Sequence, residues 1–351
     1  MTNKHNVRVL IITNKILEYR KTLFNLIAKE CYLDIAHSGN TTKDHKTLYN
    51  EFILSRFKIG SFIFQFINKN LNLNKYNVIV LNFDLHFIMN LFLIIFMRKK
   101  TKIILWGHRY SENKNFSIVI NFIKNYFLKK AHGVILYTDT NVKKLIMHGI
   151  DENKIFVADN TIDVPNNCFN DKVQRNTILF VGRAQKRKKI DLLINSFYKI
   201  KDQIDQNIRV TIIGSGRENI ELKKQVSSLK LDDKVTFISE THNPDELIDY
   251  FQKAIIYASP GHVGLGVLHS FAYGVPVLTI KSNNHAEEFD NLLHNTNSFI
   301  ASNENEFTKA LLDFCLNTSK SYDLGLRAYD FYIEQKLMSS YVKKFMKAIY
   351  E

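Results

Sequence analysis

Cysteine is scarce in this 351-residue chain: Cys31, Cys168 and Cys315 are scattered, odd in number and never spaced as C-x-x-C. A disulfide framework and a paired redox or metal motif are thereby excluded, and a reducing, cytoplasmic setting is expected. Long apolar runs are missing too. The longest, Leu85 to Met97, spans 13 residues and carries His86 and Asn90, too short and too polar to cross a bilayer, and it reads as a buried helix. The N-terminus, MTNKHNVRVLIIT, enters an apolar strand within a few residues and has neither the apolar core nor the cleavage site of a signal peptide, so no export is expected. There is no Walker lysine loop, no H-E-x-x-H, no nucleophile elbow and no low-complexity tract. Gly214-Ser215-Gly216 lacks the third glycine of a dinucleotide fingerprint and reads as a strand-to-helix turn.

What is present points to two domains. The length exceeds what one hydrophobic core usually fills, and a hydrophobic content of 45% is enough for two. Positive charge is in excess at +14, and it is uneven. Residues 1 to 165 hold 24 Lys+Arg against 12 Asp+Glu, a balance of +12, whereas the rest hold 24 against 22, or +2. Phosphate-rich partners suit such a first half, whether lipid headgroups, a lipid-pyrophosphate acceptor or nucleic acid. Nucleic acid is disfavoured because no recognisable binding module appears there.

Apolar runs and helical periods alternate along the chain. Strands are expected at Val7 to Thr13, Leu33 to His37, Val78 to Asn82, Lys102 to Trp106, Gly133 to Tyr137 and Ile155 to Ala158. After an Asn- and Asp-rich break at Asn160 to Thr177, read as the linker, a second series follows at Thr177 to Val181, Arg209 to Ile213, Lys234 to Ile238, Ala254 to Ala258 and Val275 to Ile280. The tail, Ala328 to Tyr350, reads as one or two amphipathic helices. The expected division is 1–165, 166–328 and a C-terminal helix within 329–351 that packs back on the first domain. Ligands of such sheets bind beyond the carboxyl ends of the strands, which directs attention to the loops there.

Two of those loops carry chemistry. Gly182-Arg183 and the run Lys186-Arg187-Lys188-Lys189 follow the strand Ile178 to Val181; cations beside helix N-terminal amides suit a diphosphate, although a solvated basic loop gives the same pattern. The stretch Ala258-Ser259-Pro260-Gly261-His262-Val263-Gly264-Leu265-Gly266 follows another strand and opens a helix through His269 to Tyr273. Its glycines let backbone approach a ligand, and free N–H groups favour phosphate. Together the two loops argue for a nucleotide diphosphate.

The segments FVGRAQKRKKIDLLINSF (180–197), IIGSGRE (212–218), VTFIS (235–239) and ASPGHVGLGVLHSFAYGVPVLT (258–279) resemble, in order and spacing, the donor-domain motifs of family 4 glycosyltransferases. VLIITNKILEYRKTLFN (9–25), IILWGHR (103–109) and the segment 133–163 are weaker matches in the first half. The resemblance implies an α/β protein of two Rossmann-like domains facing a central cleft, the GT-B fold. It implies transfer of a hexose, with retention, from a nucleotide-diphosphate sugar to a hydroxyl of a bacterial surface glycan or lipid-linked acceptor. By position, His108, Arg183 and Lys188 take the catalytic roles. Gly182, Gly214, Ser239, Gly261, His262, Gly264, Leu265, Gly266, His269 and Glu288 would line the donor, and Asn14, Arg20 and Arg109 would face the acceptor. The family's two glutamates, seven residues apart, are replaced here by Gly261 and His269, while His285-Ala286-Glu287-Glu288 resembles the H-x-P-E segment of a variant lacking that pair. With no Asp-x-Asp to bind a divalent cation, no metal and no cofactor beyond the co-substrate is expected. The expected location is cytoplasmic, peripheral at the inner face of an anionic membrane. A nucleotide-sugar epimerase of the same fold and a non-catalytic nucleotide-sugar-binding homologue are the alternatives; the oligomeric state is not indicated.

Overall fold

The computed structural model describes residues 6–42, 44–67, 70–107, 117–164, 173–241 and 243–351. The chain divides into two compact units, one comprising Met1–Asn160 with Met338–Glu351, the other Thr161–Leu337.

The first unit is built on seven parallel strands: β1 (Arg8–Ile12), β2 (Tyr32–His37), β3 (Asn50–Ile53), β6 (Val78–Asn82), β7 (Lys102–Trp106), β8 (Gly133–Leu136) and β9 (Ile155–Val157), in the order β3-β2-β1-β6-β7-β8-β9. An antiparallel hairpin, β4 (Ser55–Ile59) and β5 (Phe62–Phe66), stands outside this sheet. The central strands read as continuous apolar runs because helices cover both faces. Along β1, Val9 and Ile11 enter one layer with Leu23, Phe24 and Ile27 of α1 (Lys21–Ala28). Leu10 and Ile12 enter the other with residues of α2 (Ile88–Phe96), α3 (Ser117–Lys130) and α4 (Val142–Met147). The final helix, α11 (Met338–Tyr350), belongs to the first layer: Phe345 is fully buried edge-on to Trp106, with ring centroids 5.5 Å apart. Truncating so buried an aromatic typically costs about 3–5 kcal/mol.

The second unit repeats the plan with six parallel strands: β10 (Thr177–Val181), β11 (Arg209–Ile213), β12 (Val235–Ile238), β13 (Ala254–Ala258), β14 (Val277–Ile280) and β15 (Ser298–Ala301), ordered β12-β11-β10-β13-β14-β15. Ile178 and Phe180 face α5 (Ile190–Ile200), α6 (Asn219–Ser228) and α9 (Glu304–Leu316). Leu179 faces α7 (Pro244–Gln252), α8 (Gly266–Ala272) and α10 (Thr318–Gln335), whose Tyr332 is buried and donates to Ile162 O at 3.2 Å. Residues 329–335 thus stay with the second unit, and 338–351 join the first.

Both sheets reverse strand order once, between β1 and β6 and between β10 and β13. Such a switch point splays the loops after its two strands and opens a crevice for ligand. Two expectations differ from what is observed. The Leu85–Met97 segment is helical from Ile88 to Phe96, but only one side of α2 is buried; Phe92, Ile95 and Phe96 face solvent. Strands β3, β4, β5 and β15 add to those expected from the sequence, being four or five residues long, and β4 and β5 have no alternation of buried and exposed positions to betray them.

Candidate active site

The loops after β10 and β13, one on each side of the second unit's switch point, are joined through their backbones. Gly261 N–H donates to Lys188 O at 3.1 Å and His262 N–H to Arg187 O at 2.9 Å. Lys188 closes the junction from the other side, its Nζ donating to His262 O at 2.6 Å. Glycine at 261 is compulsory for so close an approach: a Cβ there would lie 2.2 Å from Arg187 O and 2.5 Å from the Lys188 carbonyl carbon. The position is therefore closed to any side chain unless that backbone shifts. A second crossing of the same kind lies beneath, where a Cβ on Gly214, at φ +138°, would meet Gly182 O at 2.1 Å.

Lys188 is half-buried, and burial, reinforced by Arg187 and opposed by the Glu288 carboxylate, lowers its pKa to about 8. Burial together with the charges of Lys188 and Arg187 takes His262 down to about 4, so its imidazole is neutral near pH 7. Its Nδ1 is buried and meets no partner among the described residues. Arg183 is exposed at the start of the loop and likewise unpaired among the described residues. Among the described residues Arg183 is thus a free, solvated cation and Lys188 a partly desolvated one. Charge-assisted bonds to an anion would offset the desolvation of Lys188.

The loop after β13 is held from below by His285, whose role its neighbours fix. Its Nδ1 accepts from Val263 N–H at 3.1 Å, Nε2 lies 2.8 Å from Ile280 O and must carry the proton, and the ring stacks on Phe289 at 4.3 Å. Burial lowers its pKa, favouring the neutral form that this pairing needs. Tyr257 supports the same loop from the strand, its hydroxyl donating to Val181 O at 3.0 Å and packing where a Gly266 Cβ would stand. His285 was visible only as part of a resembling segment, and Tyr257 had no signal beyond its place near a strand end. Ahead of α8 the N–H groups of Gly264 and Leu265 donate to no carbonyl among the described residues.

The structure therefore brings Gly182, Lys188, Gly261, His262, Gly264, Leu265, Gly266 and Glu288 to one end of one sheet, with Gly214 packed under Gly182. His269 sits a turn into α8 with its ring parallel to Phe251 at 6.3 Å. Ser239 is apart: it is exposed after β12 at the sheet edge, two strands from β10, a lateral offset of about 10 Å. In the first unit Asn14 follows β1 and accepts from Arg56 Nη1 at 3.1 Å. Arg20 lies over the Trp106 ring at 4.4 Å, and its Nη2 donates to the Tyr137 hydroxyl at 2.7 Å. Burial opposes its charge, but Tyr137, Tyr19 and Tyr341 outweigh burial and leave its pKa raised. His108 and Arg109 lie outside the described residues. No group of three or more His, Cys, Asp or Glu side chains suited to a metal occurs among the described residues.

Residues 168–331 match the family of glycosyl transferases group 1. The matched segment lies within the second unit. An uncharacterized glycosyltransferase of Haemophilus influenzae is 27% identical over 228 residues, 63% of this chain, and a D-inositol 3-phosphate glycosyltransferase of Arthrobacter is 31% identical over 110 residues, 30% of this chain. The chain spans 62% of the first relative's length and 26% of the second's. Among solved structures, Anabaena HepE in complex with UDP superposes with a TM-score of 0.73 at 13% identity, covering 98% of this chain and 99% of that one. The likeness establishes the fold: two Rossmann-like α/β domains of the GT-B type.

Proposed function

We propose that the chain is a nucleotide-sugar-dependent glycosyltransferase of family 4, in a variant form without the paired glutamates. It transfers a hexose to a hydroxyl of a bacterial surface glycan or lipid-linked acceptor with retention of configuration. The observation that carries this reading is the junction at the second switch point: a half-buried Lys188 latched to the His262 carbonyl, beside an unpaired Arg183 and free loop amides. UDP in the Anabaena protein of the same fold is in keeping with a uridine diphosphate donor, and the inositol 3-phosphate in the name of the Arthrobacter relative with an acceptor that carries phosphate.

The chemistry asks little more of the protein. The bond from the anomeric carbon to the diphosphate oxygen breaks, a bond to the acceptor oxygen forms, and the acceptor proton passes to the leaving diphosphate. Arg183 and Lys188 stabilise the negative charge that builds on that leaving group, in the manner of an oxyanion hole. Glu288, buried next to Lys188, keeps the lysine charged and stands where a sugar hydroxyl could be met in place of the missing glutamates. With two cations on the diphosphate, the reaction needs no divalent metal. The +12 charge of residues 1 to 165 supports work at the anionic inner face of a cytoplasmic membrane.

The closed position at Gly261 favours one second reading, a homologue that binds nucleotide sugar without turning it over. A panel of nucleotide sugars separates the two. A productive donor raises the melting temperature, because ligand bound to the native state stabilises it by mass action, and yields glycosylated product with an acceptor extract. Stabilisation without product supports the binder, and no stabilisation by any member rejects both.

A further inference from the structure

The six exposed phenylalanines among the described residues, Phe57, Phe62, Phe66, Phe92, Phe96 and Phe122, all lie on three neighbouring elements of the first unit: the β4–β5 hairpin, α2 and α3. The elements adjoin. Ile63 N–H donates to His86 O at 2.7 Å beside the start of α2, and α2 packs alongside α3. On α2 the outward positions 92, 95 and 96 follow helical spacing, while Leu93 and Ile94 face the core, so the helix is apolar on both sides. Such a helix belongs in an apolar environment on both sides, yet this chain covers only one. On α3, positions 118, 119, 122, 123 and 126 form a second outward stripe, with Ile118 84% and Phe122 74% exposed. Monomeric proteins rarely leave so much contiguous apolar surface to water.

The charge around this surface says what covers it. Residues 52 to 138 contain 13 Lys+Arg and 2 Asp+Glu, a balance of +11. The one acid of that stretch among the described residues, Asp84, is already paired with His86 Nδ1 at 2.6 Å. Arg98, Lys99 and Lys100 continue from the end of α2, and Lys129 and Lys130 close α3. A second copy of the same face would bring like charges together, since a two-fold contact pairs each patch with itself. An anionic bilayer instead offers hydrocarbon to the phenylalanines and phosphates to the lysines and arginines, whose long stems reach headgroup level from beside an inserted ring.

We infer that the α2–α3 face and the β4–β5 hairpin form a monotopic insertion surface, with phenylalanines embedded at the acyl boundary of an anionic membrane. This deepens the peripheral attachment proposed above. It requires neither donor nor acceptor, so vesicle binding tests it whether or not sugar is transferred. Flotation with phosphatidylcholine vesicles, with or without phosphatidylglycerol, is expected to recover the protein only with the anionic lipid. F96D/F122D is expected to weaken binding about tenfold or more, with no loss of thermal stability because both rings are exposed. F122W reports insertion directly: the native Trp106 is buried and supplies a constant background, so a blue shift on vesicles and quenching by brominated lipid belong to position 122. No flotation at low ionic strength overturns the proposal. Flotation unchanged in F96D/F122D, with unshifted F122W emission, reduces it to electrostatics alone and also overturns it. A concentration-dependent dimer abolished by F96D/F122D would make a second copy the occupant.

Discussion

The two units share a sheet plan but hold the loops at their switch points by different means. In the second unit the loops after β10 and β13 are locked backbone to backbone, with Lys188 and His285 bonding to main-chain groups. In the first unit, side chains hold the corresponding loops: Arg20 with Trp106 and Tyr137, Arg56 with Asn14, and Gln65 Nε2 with Thr13 O at 3.1 Å. A backbone-built site permits little variation and demands glycine where chains cross. A side-chain-built one can be remade with other residues.

The comparison can be broken most severely at the second unit's cations. R183A and K188A are each expected to lower kcat by about 10²–10³, measured under saturating donor, while melting temperature changes little for the exposed Arg183; near-normal turnover in both would remove the leaving-group role. Placing at position 261 the glutamate of the enzymes that the sequence resembles is the next strongest test. G261E should depress donor affinity rather than improve it, because the backbone of Arg187 and Lys188 must part to admit a side chain; calorimetric titration with the donor reads this, and tighter binding would show that the junction yields easily. A pH series follows. With the Lys188 pKa lowered to about 8, its charge is present below that value and lost as pH rises through it, so kcat/KM for the donor should fall above about pH 8. K188R, charged throughout, should keep whatever activity it has to higher pH; a limb at the same pH in K188R assigns it to another group. The smallest expected effect is that of chelator: turnover is expected to survive EDTA, and restoration by Mg²⁺ or Mn²⁺ after loss would transfer the charge-neutralising role to a metal.

Legibility followed the same division. Gly261 was legible because two backbones cross there and leave no room for a side chain, and Lys188 as one of a run of cations; Gly264, by contrast, has open space where a Cβ would stand. The central strands were legible as continuous apolar runs. The β4–β5 hairpin was not: Ser55–Ile59 is exposed along its whole length, so no alternation marks it. Ser239 was placed in the site by motif order, but strand order, invisible in the sequence, sets it two strands from the switch point. The outward face of α2 was misread for a physical reason, since apolar residues all round a helix look the same whether protein or another apolar medium covers them.

One consequence of α11 concerns how the protein is made. Phe345, Met346 and Ile349 complete the layer over Val9 and Ile11, yet they follow the whole of Thr161–Leu337 in the chain. At the usual pace of about 5–20 residues per second, the ribosome delivers them on the order of ten to thirty-five seconds after Asn160. During that interval the early half must wait with one core layer unsealed, while the later half is itself being made, its last strand ending at Ala301. The unit translated first is thus the last to receive its final element, and it is the one a holdase chaperone would be expected to grip.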